Sequence, residues 1–301
     1  MSGTPYQRLL KNDVTPRAYV VLGTLTILVG WMLGGIVILG VQQAVHPDPK
    51  GTLSWIGLLF TNLTLIILIP LSVLVATLLN RQTPGLLSSV VGKLRWRPLA
   101  WFAVVAIALE LVSFAIIQLF DVPLATGERH GGPAAPDVVG IIVITLLTSP
   151  IQAAGEEYYF RGYLLQAVGS YLRGSIVAVA VTAVLFTAAH GILPWQSPAL
   201  FVDRLAFGLV AGFLAIRTGG LESGIASHAA NNVVTFVFAG LTNTLGASLE
   251  VKDAPWPLVL IDVVKFAAFG VIAVWLTDRM KLQRESDLPL ATLPASSPRQ
   301  V

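Results

Sequence analysis

The stretch that decides the fold runs from Val138 to Leu165, "VVGIIVITLLTSPIQAAGEEYYFRGYLL", in which 17 uncharged residues (138–154) precede Glu156, Glu157 and Arg161. A run of this length, continued as helix to Leu172, is long enough to cross about 30 Å of hydrocarbon at about 1.5 Å per residue. Seven more runs resemble it: Ala18 to Val41, Leu53 to Leu79, Pro98 to Phe120, Ser175 to Leu193, Ala199 to Ile216, Leu221 to Leu241 and Pro257 to Thr277. The expected fold is all-α, a polytopic transmembrane helical bundle of about eight spans.

Composition points the same way. With 55% hydrophobic and 12% charged residues and a mean hydropathy of +0.77, the chain is too apolar for a soluble domain. Cysteine is absent. That excludes disulfides, thiolate catalysis, Cys-ligated zinc and a prenyl or palmitoyl anchor of its own. The first run follows Arg8, Lys11 and Arg17 as a signal peptide would, but it far exceeds the roughly 7–15 residues of a signal h-region. It is expected to remain as a helix.

Loop charges set the orientation. With the N-terminus inside, the inner segments hold 13 Lys and Arg, and the outer loops hold 3, Lys50, Arg129 and Lys252. Both termini are therefore expected in the cytoplasm, in a multi-pass protein of the plasma membrane. The net charge of +3 is topological and does not point to nucleic acid; the bilayer is the partner it implies. The chain divides into a cytoplasmic lead (1–17), a three-span region (18–137), a core (138–241), an outer loop with the last span (242–277) and a cytoplasmic tail (278–301) whose Pro, Ser and Thr content reads as disordered.

Ionisable groups inside spans are costly and mark function by default. They are Glu110; Glu156, Glu157 and Arg161; His190; Asp203 and Arg204; His228, with Asn231 and Asn232 beside it; and Asp262 and Lys265. Glu157 and Arg161 have the i, i+4 spacing of an ion pair, which leaves Glu156, about 100° round the helix, free to point elsewhere. Asp262 and Lys265 can neutralise each other at i, i+3, whereas Asp203 and Arg204 are consecutive and are not expected to pair. His46 and His130 fall in outer loops and read as solvated.

Glu156 lies 17 residues before Arg173 and His190 lies 17 after it. In two antiparallel helices turning there, the two are level. His228 joins them if "FRGYLLQAVGSYLRG" extends a couple of turns into the cytoplasm, so one Glu, two His and an Asn meet in the inner half of the bundle, in a site expected to open to the cytoplasm. His228 and Asn232 share a face at i, i+4. A Glu beside a His can hold and deprotonate water, and carboxylate with imidazole also suits zinc. Gly155 leaves room for a neighbouring backbone.

"EEYYFR" (156–161), "FTAAH" (186–190) and "HAANN" (228–232) fit the motifs EExxxR, FxxxH and HxxxN, in the order and approximate spacing of the CPBP family of CAAX prenyl protease 2 and its bacteriocin-processing (Abi) relatives. The chain resembles that family over about 156–232. The resemblance implies an intramembrane endopeptidase acting on a membrane-associated or lipidated peptide. Glu156 would be the general base, His190 would hold the water or a metal, His228 and Asn232 would stabilise the oxyanion, and Glu157 with Arg161 would support them. It implies a metallopeptidase with zinc on Glu156, His190 and His228, or else a metal-free Glu and His pair. Two other readings stand beside it: a non-catalytic immunity or scaffold protein, and an ion- or proton-coupled transporter, which predicts broken helices in matching halves that the sequence does not show.

Overall fold

The computed structural model describes residues 3–47, 54–124, 137–172, 174–249 and 251–292. Lys50, Arg129, His130 and Arg173, named above, lie outside these residues, as does Arg299, one of the 13 inner basic groups. The eight expected runs correspond to eight helices: α1 (Ala18–Val45), α2 (Trp55–Leu79), α3 (Trp96–Leu119), α4 (Val138–Tyr171), α5 (Ser175–Ala189), α6 (Pro198–Thr218), α7 (Glu222–Thr242) and, after a short α8 (Leu245–Leu249), α9 (Trp256–Arg279).

Six of the eight are long and apolar enough to cross a membrane by length and composition. The exceptions are α5, which has only 15 residues, and α7, whose 21 residues include Glu222, His228, Asn231 and Asn232. Both carry motif residues. The outward faces of the bundle are apolar, with Val21, Met32, Ile36, Leu78 and Val271 among the exposed side chains, as lipid contact requires.

Helix α4 is central, packing against α2 on one side and α7 on the other, while α6 bridges α5 and α9. Gly155 makes the first contact possible. A Cβ there would stand 2.2 Å from the Leu65 carbonyl oxygen of α2, so no other residue fits. Within α4 the segment Tyr158–Leu164 is π-helical, a local widening of the kind that recurs at functional sites.

The first and last described segments lie together at one end. Thr4–Pro5 (β1) pairs antiparallel with Glu285–Ser286 (β2), Gln82 bridges to Ala291, and Thr83 N donates to the Leu290 oxygen at 3.0 Å. The tail is therefore not disordered from residue 278: it is ordered to Thr292, because backbone pairing and the buried Ser286 offset the low apolar content that read as disorder. The same end corrects a second expectation. Helix α4 does extend past the site, but Arg161 and Gln166 are buried rather than solvated. Gln166 accepts from Gln82 Nε2 at 2.7 Å and donates to the Leu86 oxygen at 2.9 Å, so a protein loop takes the place of water.

Candidate active site

Glu156, Glu157, His190, His228 and Asn232 come together from α4, α5 and α7. Glu156 Oε2 lies 4.0 Å from His190 Nε2, and the two are level as the antiparallel spacing required. That gap is too long for a direct hydrogen bond and short enough for one water to touch both at about 2.8 Å. His190 Nδ1 lies 2.8 Å from the Phe186 carbonyl oxygen. Because a carbonyl only accepts, that nitrogen carries the proton and Nε2 presents its lone pair to Glu156.

The other oxygen of Glu156 accepts from Gln152 Nε2 at 2.5 Å, and Gln152 Oε1 in turn accepts from Asn232 Nδ2 at 2.9 Å. Gln152 thus fixes the carboxylate rotamer and ties α4 to α7. It was not singled out in the sequence, although its i, i+4 spacing to Glu156 was the available signal.

Beneath this layer Glu157 is fully buried and accepts through Oε1 from Arg161 Nη1 at 2.8 Å and from His228 Nδ1 at 3.0 Å. Gly224 makes the room: a Cβ there would stand 2.6 Å from Glu157 Oε2. Arg161 also lies over the rings of Phe186 (4.1 Å) and Phe207 (5.1 Å). Phe207 packs edge-on to His228, with 5.0 Å between centroids. At the terminal end, Glu222 at the start of α7 accepts from Arg95 Nε at 2.8 Å and Nη2 at 2.6 Å. This fork fixes the height of α7.

Asp262 and Lys265 do pair, at 2.7 Å, but Lys265 also reaches Glu110 at 3.0 Å and Asn231 at 3.3 Å, uniting three helices. Asp203 and Arg204 also pair, at 2.6 Å, against expectation. An arginine side chain is long enough to curl back to the preceding carboxylate although their Cβ atoms diverge.

A cavity of about 410 Å³ joins these groups, lined by Glu156, His190, His228, Asn231 and Asn232 and continuing to Leu124, Thr244, Leu249, Val251 and Ala254. Those last residues lie at the end opposite Thr4–Pro5 and Glu285–Ser286, which with the N-terminus inside is the outer side and not the cytoplasmic side expected above. The cause is α5. At 15 residues, about 22 Å long, it starts at the terminal end, where Gln7 Nε2 donates to Ser175 Oγ at 2.7 Å, and it stops at His190 short of the outer surface. On the outer rim Ser197 Oγ donates to Asp253 at 2.5 Å. That bond and the Ala254 amide hold the Asp253 carboxyl below its usual range.

An impermeant maleimide checks this geometry, since the chain has no native cysteine. Ser248→Cys, on the cavity lining, is expected to label in intact cells, and Asp13→Cys, exposed at the terminal end, only after lysis. The reverse pattern would invert the topology.

Among known proteins, the chain is 24% identical over 202 residues to "Uncharacterized protein YyaK" of Bacillus subtilis (strain 168), a match covering 64% of this chain and 67% of that one. Residues 138–234 of this multi-pass membrane protein match the family model described as Rce1-like type II CAAX prenyl endopeptidase, a segment that contains all three motifs and every residue gathered around Glu156.

Proposed function

We propose that the chain is an intramembrane endopeptidase in which Glu156 and His190 activate water against a peptide bond entering from the outer side. The observation that carries this reading is the 4.0 Å separation of Glu156 Oε2 and His190 Nε2 inside the cavity. Glu156 takes a proton from the water as its oxygen bonds to the scissile carbonyl carbon, with His190 Nε2 accepting the second water hydrogen to orient the attack. The oxyanion lies against donors of α7: the second N–H of Asn232 Nδ2, the first being held by Gln152, and His228 Nε2 when that ring is protonated. As the tetrahedral adduct collapses, Glu156 returns the proton to the leaving amine. Glu157, with Arg161 behind it, fixes the His228 ring.

Among the described residues no three His, Asp or Glu side chains converge as metal ligands. No step is therefore routed through a metal. Purified protein treated with a chelator, then assayed on a peptide pool, is expected to keep its turnover and to hold well under one equivalent of zinc by elemental analysis. Loss of activity on chelation, restored by zinc, would contradict the metal-free step.

Entry from the outer side also bears on substrate. A prenylated C-terminus presented in the cytoplasm does not reach this opening, whereas an exported peptide or the outer juxtamembrane segment of an anchored protein does.

A further inference from the structure

Lys265 of α9 takes no part in the hydrolytic step, yet a run of three amides joins it to Glu156. Its Nζ donates to Asn231 Oδ1 at 3.3 Å, and Asn231 Nδ2 donates to Asn232 Oδ1 at 3.4 Å. Asn232 Nδ2 donates to Gln152 Oε1 at 2.9 Å, and Gln152 Nε2 donates to Glu156 Oε1 at 2.5 Å. The donor end is fixed in place, because the buried Lys265 also holds Glu110 at 3.0 Å and Asp262 at 2.7 Å.

The two ends dictate the direction of this chain. An ammonium only donates and a carboxylate only accepts, whereas an amide has one end of each kind and can be turned over. Between Lys265 and Glu156 every amide must therefore aim its oxygen toward Lys265 and its nitrogen toward Glu156. Turning one over sets oxygen against oxygen on one side and nitrogen against nitrogen on the other. Bonds aligned in one sense in low-dielectric surroundings also polarise one another. The direction matters at Asn232, whose oxygen is occupied by Asn231 and whose nitrogen keeps a second N–H beyond the one on Gln152. In the opposite sense its oxygen would take the nitrogen's place.

We propose that Lys265 and Asn231 are positioning residues, which act through Asn232 and Gln152 to fix an N–H toward the oxyanion and an N–H on Glu156. What is positioned rests on the peptidase reading; the coupling from Lys265 to Glu156 is a property of the fold.

Asn231→Asp and Asn231→Leu separate direction from packing. Asp keeps the shape but has no donor for Asn232 and draws its nitrogen the wrong way, which turns the chain over. Leu changes the shape but leaves Glu156 to hold the direction. Protein ¹⁵N-labelled in its glutamine side chains is followed by NMR in detergent micelles, with the Gln152 amide identified by its loss in Gln152→Met. A proton in a short bond to a carboxylate resonates downfield. That displacement should be present in wild type and in Asn231→Leu and lost in Asn231→Asp. On a susceptible peptide Asn231→Asp should lower kcat by about 10²-fold at unchanged KM, as loss of one oxyanion donor does, and Asn231→Leu by less. Lys265→Met with Glu110→Gln, which removes one charge of each sign, reads the far end whether or not Asn231→Asp folds: the Gln152 resonance should move part of the way upfield and kcat should fall about tenfold, the scale of a hydrogen bond to a charged group. A Gln152 resonance unmoved in Asn231→Asp or in the double variant, wild-type kcat in either, or a greater loss in Asn231→Leu than in Asn231→Asp, as packing alone would give, overturns the proposal. If the wild-type protein cuts no peptide yet the resonance moves as expected, the peptidase reading fails and the coupling stands.

Discussion

Glu156→Gln is expected to lower peptide hydrolysis by about 10²–10⁴-fold, the range that a positioned general base contributes, with insertion, yield and melting temperature unchanged. The substitution keeps the shape and one acceptor oxygen, so Gln152 Nε2 still finds a partner, but it removes the group that takes the proton from water. His190→Ala should also lose activity, by a smaller factor, because its Nε2 orients the water while Glu156 does the chemistry. Purified variants assayed on a susceptible peptide decide it. Near wild-type turnover in Glu156→Gln would show that another group is the base.

Arg161→Ala is expected to act on stability first, at a cost of about 3–5 kcal/mol for breaking a buried pair. Both partners are almost fully buried. Removing the guanidinium leaves Glu157 with His228 as its remaining partner and empties the space against Phe186 and Phe207. The double change Glu157→Gln with Arg161→Ala should recover part of the loss, since it removes the stranded charge but not the packing gap. Melting curves of the two variants in the same detergent check this; no recovery would mean that charge is not what Arg161 compensates.

How far the sequence could be read follows from which forces were local. Helix positions and the Glu157 to Arg161 pair were legible because span length and i, i+4 spacing are properties of single helices. The equal depth of Glu156 and His190 was legible from one hairpin. What could not be read depended on contacts between distant segments. The order of residues 285–292 comes from pairing with residues 4–5 and the loop around Gln82, and the burial of Gln166 comes from that same loop. The direction of the cavity depended on where α5 ends relative to its neighbours, which a count of apolar residues to Leu193 obscured. Lys265 joined Glu110 and Asn231 across three helices, with nothing in its own span to announce either partner.

If Glu156 and His190 act together as proposed, in a cavity that opens outward, the chain cuts peptide bonds on the outer side of its membrane. The most direct measurement compares the N-termini of membrane and exported proteins in cells carrying the wild-type chain with those in cells carrying Glu156→Gln at equal abundance. A set of new termini present only with wild type, mapping to outer juxtamembrane or exported segments, is the predicted result. Identical termini in the two cell lines, or new termini confined to cytoplasmic segments, would contradict the account.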